Sequence, residues 1–393
     1  MKIKNTEDLI PVAPLRIIAM PNCAELGKLA DERIIQLREQ TLKEADPTKL
    51  NTLGYRTDSY LIDYNLLRYG TGEGRAIINE SVRGSDLFIL ADTVNYGETI
   101  NMHGSQSMLS PDDHFADLKR LIMACSGHPH RITVIMPYLY EGRQNLRVVN
   151  ESLDCALALQ ELVSMGVETI ITFDAHDSRV QNAIPINGFD NFYTSYQFIK
   201  ELLDMHEDLQ VDPDHLMVIS PDEGGTNRAV YYATLLGVDI GMFYRRRDYS
   251  RKTNGEHPIV SFEFLGNDLE GKTVILVDDM IATGKSVLEV ARELKKRKAH
   301  KVYICATFGL FTLGLEKFDQ AYEDGLFDCI YTTNLNYCPQ ELINKPYYHN
   351  VDLSNYISLI INTVNHDTSV NDILDATERI QVLLSEHAAK KQA

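Results

Sequence analysis

The stretch VILVDDMIATGKS, residues 274–286, runs on into VLEVARELKKRKAHKVYICATFG, residues 287–309. Four apolar residues lead into two aspartates and a short turn. An amphipathic segment follows with Val287, Val290, Ala291 and Leu294 on one helical face, then a basic turn, then a second apolar run from Val302. Strand, turn, helix, strand is the unit of a parallel sheet with covered faces. The closing Gly284-Lys285-Ser286 suggests a nucleotide P-loop, but that motif requires a glycine where Asp279 stands, so the P-loop reading fails. What remains is a buried strand, paired carboxylates at its tip, and a helix start whose N–H groups suit a phosphate.

Working outward, the same design recurs in DDHFADLKRLIMACSGHPHRITVIMPY and ESLDCALALQELVSMGVETIITFDAH, with further strands expected at 15–20, 87–91 and 216–220. Two such series, before and after about residue 196, predict an α/β protein of two related domains, each a mainly parallel sheet flanked by helices. Ligands of open parallel sheets sit beyond the carboxyl ends of the strands, so PYLYEGRQ, DAHDSR, SPDEGG and DDMIATGKS are the places to look for chemistry. Three polar stretches, 43–60, 95–114 and the basic 245–258, read as insertions or functional loops. Residues 372–387 read as a C-terminal helix.

Composition sets limits. The 393 residues suffice for two domains, and 38 basic against 56 acidic residues leave a formal charge of −18, which argues against a nucleic-acid surface. No apolar run approaches the length of a membrane span, and the N-terminus has charges and prolines where a secretory signal needs an apolar core. Six widely spaced cysteines without a CxxC pair suit a reducing compartment, so a cytoplasmic protein is expected. Cys125-x-x-His128-x-His130 has metal-like spacing but no evident fourth ligand.

The 274–286 stretch is similar to the ribose-phosphate loop of type I phosphoribosyltransferases and of the ribose-phosphate pyrophosphokinases (PRPP synthetases). Further segments resemble the pyrophosphokinase family in order along nearly the whole chain: MPNCAELGKLADERI, YGTGEGRAIINESVRG, PYLYEGRQ, FDAHDS, VISPDEGGTNRA, FYRRRDYSRK and ATFGLFTLG. The fold this resemblance implies is a pair of phosphoribosyltransferase-like domains. They would comprise 1–196, joined by 366–393, on the ATP side and 197–365 on the ribose 5-phosphate side. The activity it implies is transfer of the β,γ-diphosphoryl group of ATP to the C1 hydroxyl of ribose 5-phosphate, with Mg²⁺ as cofactor.

By the same resemblance Tyr69, Thr71, Glu73, Arg143 and Gln144 contact ATP, and His176 and Asp222 attend the metal. Asp278, Asp279, Thr283, Gly284, Lys285 and Ser286 hold ribose 5-phosphate, Arg245 and Arg247 act on a closing catalytic loop, and Ser81 and Arg83 belong to allosteric control. A homo-oligomer, dimers assembled into a hexamer, is implied as well. The chain departs from the family at Ala282, where an aspartate is usual, at Lys285 and Ser286, and at Arg245, where the family has lysine. Phe308 and Thr312 replace a family histidine and serine, and with the 95–114 stretch they bear on phosphate and ADP control. A catalytically weak paralogue with a regulatory role, or a phosphoribosyltransferase, are the alternative readings.

Overall fold

Runs such as LRIIA, DLFIL and LMVIS carry too few polar residues for a strand with one wet face, and each is covered on both sides. The computed structural model describes residues 10–44, 52, 54–247 and 259–392. They fall into two units.

Among the described residues the first unit holds nine strands: β1 (Leu15–Ala19), β2 (Tyr64–Arg68), β3 (Gly74–Ile78), β4 (Asp86–Leu90), β5 (Thr99–Met102), β6 (Ser105–Met108), β7 (Arg131–Ile135), β8 (Thr169–Phe173) and β9 (Gly188–Phe192). Its main sheet has the order β1-β4-β7-β8-β9, all parallel, while β2 with β3 and β5 with β6 form separate antiparallel hairpins. The helices Pro111–Cys125 and Asp154–Ser164 bury Leu118, Leu121, Ile122, Leu159 and Leu162 in a core with Ile89, Val134 and Ile170 of the strands.

The second unit contains β10 (Leu216–Ser220), β11 (Asp239–Arg247), β12 (Ile259–Leu265), β13 (Thr273–Ile281), β14 (Val302–Gly309), β15 (Cys329–Thr333) and β16 (Tyr348–Val351). The order is β12-β11-β10-β13-β14-β15-β16, parallel except for the antiparallel edge strand β12. As expected from its periodicity, the helix Lys285–Lys296 buries Val287, Val290, Ala291 and Leu294, with Leu288 beside them. Of the basic 245–258 stretch, Arg245–Arg247 end β11 and 248–258 lie outside the described residues. Of 43–60, residues 45–51 and 53 do so too.

The C-terminal partition differs from the one expected. Residues 352–375 belong to the first unit and 376–393 to the second, as do 194–196. The helix Ser354–Asn365 joins the first unit because Arg38, 1% exposed, donates through Nε to Asn362 Oδ1 at 3.0 Å and through a terminal nitrogen to Asn365 Oδ1 at 2.6 Å. Asn365 in turn donates to Asp86 at 2.9 Å, and Asp86 is paired with Arg131 at 2.7 Å. The last helix, Thr377–Gln392, is separated from Asn371–Leu374 by a break at Asp375-Ala376. It is fixed to the second unit by His387, which bonds the Leu209 carbonyl at 2.8 Å, and by Arg379, which lies 4.8 Å from the centre of the Tyr196 ring.

Candidate active site

In the second unit β13 does not end before its aspartates; it continues through Asp278 and Asp279 to Ile281. Its pairing with β10 stops at Ile219 with Leu276, whereas its pairing with β14 runs on to Ile281 with Gly309. The carboxylates thus stand on a stretch of strand held on one side only. The edge toward β10 is left for the loop that follows Ser220.

That loop is tightly made. Ser220 Oγ donates to the Asp222 carbonyl at 2.7 Å, and Asp222 Oδ1 accepts the Gly225 N–H at 3.2 Å. Burial and the neighbouring charge of Asp279 push the Asp278 carboxyl well above the usual range; Asp222 adds to the effect and the Arg228 guanidinium opposes it. Three carboxylates and one arginine therefore share a site in which negative charge is crowded. Arg228 is a residue the sequence reading passes over. Its position in the first turn of the helix Thr226–Leu236, directly after SPDEGG, is the signal that finds it.

Past the strand the chain turns through Ala282 and Thr283 to Gly284, whose φ of 76° is left-handed and which starts the helix Lys285–Lys296. A Cβ there would meet the Phe318 ring at 2.1 Å. The Lys285 N–H reaches Thr283 Oγ1 at 3.4 Å, and the Lys285 side chain is exposed. The backbone of the turn is fastened from β14's continuation: Thr312 N–H donates to the Ala282 carbonyl at 2.9 Å and Leu310 N–H to that of Ile281 at 2.9 Å. Asp278, Asp279, Thr283, Gly284, Lys285, Ser286 and Asp222 are thus brought to one end of the second sheet, with helix N–H groups facing the same end. Arg245 and Arg247 lie in the last part of β11.

The remaining candidates belong to the first unit. Tyr69, Thr71 and Glu73 form the turn of the β2–β3 hairpin: Tyr69 N–H donates to the Glu73 carbonyl at 2.9 Å and Thr71 Oγ1 to Glu73 Oε2 at 2.9 Å, with Tyr69 half exposed. Arg143 and Gln144 are exposed in the loop after β7, and His176 is exposed in the turn after β8. Since β7 and β8 are parallel neighbours, these three come from one end of the first sheet. Ser81 and Arg83 sit in an exposed turn after β3, where Arg83 N–H reaches Ser81 Oγ at 3.4 Å. At the end of β4 Asp92 is buried and its carboxyl is pushed up to about 7, while accepting the N–H groups of Tyr337 at 2.7 Å and Val94 at 3.1 Å.

Among the described residues no three histidine, cysteine or acidic side chains converge as a complete metal cage. Asp222, Asp278 and Asp279 still fit a hard dication in their chemistry: oxygen donors with excess negative charge, of the kind that Mg²⁺ shares with waters and substrate phosphates. Cys125 is buried at a helix end, with its thiol pushed up to about 11 by that burial, and it acts as a packing residue.

Two mainly parallel sheets, one carrying a strand, acidic pair, glycine turn and helix start, define a protein built from phosphoribosyltransferase-type domains. The family model described as the N-terminal domain of ribose phosphate pyrophosphokinase matches residues 18–166, and the phosphoribosyl transferase domain matches 194–340. Together they cover about three quarters of the chain. The chain belongs to the ribose-phosphate pyrophosphokinase family. A ribose-phosphate pyrophosphokinase of Pasteurella multocida is 28% identical over 333 residues, 83% of this chain and 96% of that protein. One from Synechococcus elongatus is 28% identical over 372 residues, 91% of this chain and 99% of its own length. The crystal structure of phosphoribosylpyrophosphate synthetase from Mycobacterium smegmatis shares the fold, with a TM-score of 0.68 and 21% identity over 89% of this chain and 98% of that one.

Proposed function

We propose that the chain is a ribose-phosphate diphosphokinase, an enzyme that joins the anomeric oxygen of ribose 5-phosphate to the β-phosphorus of ATP. The bond between that phosphorus and the bridging α-phosphate oxygen breaks, so that AMP leaves and PRPP forms. The observation that carries this reading is the one-sided strand end that presents Asp278 and Asp279 beside the left-handed Gly284 turn.

Phosphoryl transfer asks for positioning and charge neutralisation more than for covalent catalysis. In the second unit the Thr283–Ser286 turn and helix start receive the 5-phosphate on N–H donors, with the Lys285 ammonium adding charge from the exposed side. Asp278 and Asp279 accept hydrogen bonds from the ribose hydroxyls and hold the anomeric oxygen in line. Arg245 and Arg247 neutralise charge that develops on the transferred phosphoryl oxygens. In the first unit Tyr69, Thr71 and Glu73 receive the adenine, and Arg143 and Gln144 the rest of the nucleotide. In the second unit Asp222, and in the first His176, would each contribute to holding Mg²⁺ on substrate oxygens, and that ion would supply screening of the phosphate charge. Such a cation also accounts for a site that otherwise crowds three carboxylates.

No helix among the described residues is long and apolar enough to cross a membrane. With four of its six cysteines buried as free thiols, the chain suits the reducing cytoplasm, and we assign it there as a homo-oligomer of the hexameric kind its family implies. The decisive experiment supplies purified protein with Mg-ATP and ribose 5-phosphate and follows AMP and PRPP in equal amounts. Folded protein that makes neither, across a range of Mg²⁺ and phosphate, sinks this reading. Ala282, where a carboxylate is usual, favours the weak-paralogue alternative in that event.

A further inference from the structure

The polar stretch 95–114 folds into a second hairpin, and that hairpin is docked. β5 and β6 pair antiparallel from Thr99 with Met108 to Met102 with Ser105. They are joined through His103 and Gly104, with φ of 49° and 78°, the left-handed pair that suits a two-residue turn between twisted strands. The tip leans on the turn assigned to adenine. His103 N–H donates to the Gly70 carbonyl at 3.1 Å, and Met102 Sδ lies 2.7 Å from where a Cβ on Gly72 would stand. On the other flank Arg68 donates to the Gly72 carbonyl at 3.0 Å and pairs with Asp117 of the helix Pro111–Cys125 at 2.7 Å. The Tyr69–Glu73 turn is therefore clamped between a helix and the β5–β6 hairpin. The hairpin's root is firm as well: Ser110 and Asp113 cap the helix reciprocally, and Leu109 N–H closes onto the Glu98 carbonyl at 3.0 Å.

A lone two-stranded ribbon is marginal in water, and a turn at its tip would be ordered only as ligand arrived. We infer that the hairpin Thr99–Met108 is a positioning element of the nucleotide site, holding the turn with Tyr69 and Glu73 in its binding arrangement beforehand. Met102 and His103 act through the turn and touch no nucleotide. The inference rests on the assignment of Tyr69, Thr71 and Glu73 to the adenine of ATP. Ordering a segment in advance removes that cost from binding, so the effect falls on nucleotide affinity.

The test replaces Thr99–Met108 by Asn-Gly, which the adjoining Glu98 and Leu109 accommodate, and sets beside it the full-length Met102→Ala and Met102→Leu. Mg-ATP and ribose 5-phosphate binding are each measured at equilibrium, and amide hydrogen exchange is read at residues 69–73 without ligand. Expected are roughly tenfold weaker Mg-ATP binding on replacing the hairpin, about threefold for Met102→Ala, near-complete rescue by Met102→Leu, faster exchange at 69–73, and unchanged ribose 5-phosphate binding. Unchanged exchange or unchanged Mg-ATP binding overturns the inference, as does equal weakening of both ligands. The diphosphokinase reading stands or falls separately, on turnover by the unaltered protein.

Discussion

A methyl group on Gly284 would stand 2.1 Å from the Phe318 ring on a residue whose φ is 76°, so two independent restraints select glycine there. Gly284→Ala should lower the stability of the second unit by about 2–5 kcal/mol, combining the left-handed penalty with overpacking. Urea unfolding measures it, and pairing the change with Phe318→Ala should return part of the loss; an unaltered midpoint would refute the tight approach. Asp92 supplies a pH dependence. Its carboxyl is raised to about 7 in the folded chain by burial, above the unfolded value near 3.9. The stability it contributes is therefore complete below the unfolded value and is lost as pH rises through about 7. Asp92→Asn should become the more stable form as pH rises from 5 to 8, by an order of 2–4 kcal/mol, with no advantage below pH 4. A difference independent of pH would show that Asp92 does not titrate in this range. Neither Phe318 behind Gly284 nor the burial of Asp92 is legible in sequence, because both are set by residues distant along the chain.

Elements differ in how plainly the chain announces them. The helix Lys285–Lys296 is readable because its apolar residues recur at helical spacing and are the ones buried. β13 is only half readable: hydropathy ends it at Val277, while the backbone of β14 carries it to Ile281, a decision taken by a neighbour's hydrogen bonds. The β5–β6 hairpin offers only the brief alternation of Ile100 and Met102 in TINM and none in SQSM, too little beside its polar neighbours, so a polar loop is the natural reading of it. The helix Ser354–Asn365 owes its place to polar anchors that no hydrophobic pattern displays. Arg38→Met should cost the first unit about 3–5 kcal/mol, since two buried asparagine oxygens lose their donor. Hydrogen exchange should accelerate in that helix ahead of the strands; equal protection in variant and parent would contradict the anchor.

For the whole molecule, the two-domain α/β plan and the order of its motifs are legible from the sequence, while the assignment of the C-terminal segments is not. That assignment depends on partners such as Arg38 with Asn362 and His387 with Leu209, 324 and 178 residues apart. Removing residues 376–393 should raise exchange in the helices Ser195–Met205 and Thr226–Leu236 and leave β1 and β4 unaffected, the reverse of what the expected partition implies. Loss of protection in β1 and β4 would restore that partition. The chain passes from one unit to the other after Tyr193, Thr333, Tyr337, Val351 and Asp375. At about 5–20 residues per second, a ribosome takes tens of seconds to deliver the helix that Arg38 awaits, long after the sheet beside it is made. Until then a guanidinium meant for the interior lies beside the rings of Tyr55 and Tyr60 without its asparagine acceptors. The amino-terminal half is therefore born as an unfinished body that must be kept from aggregating until its own carboxyl-terminal piece is synthesised.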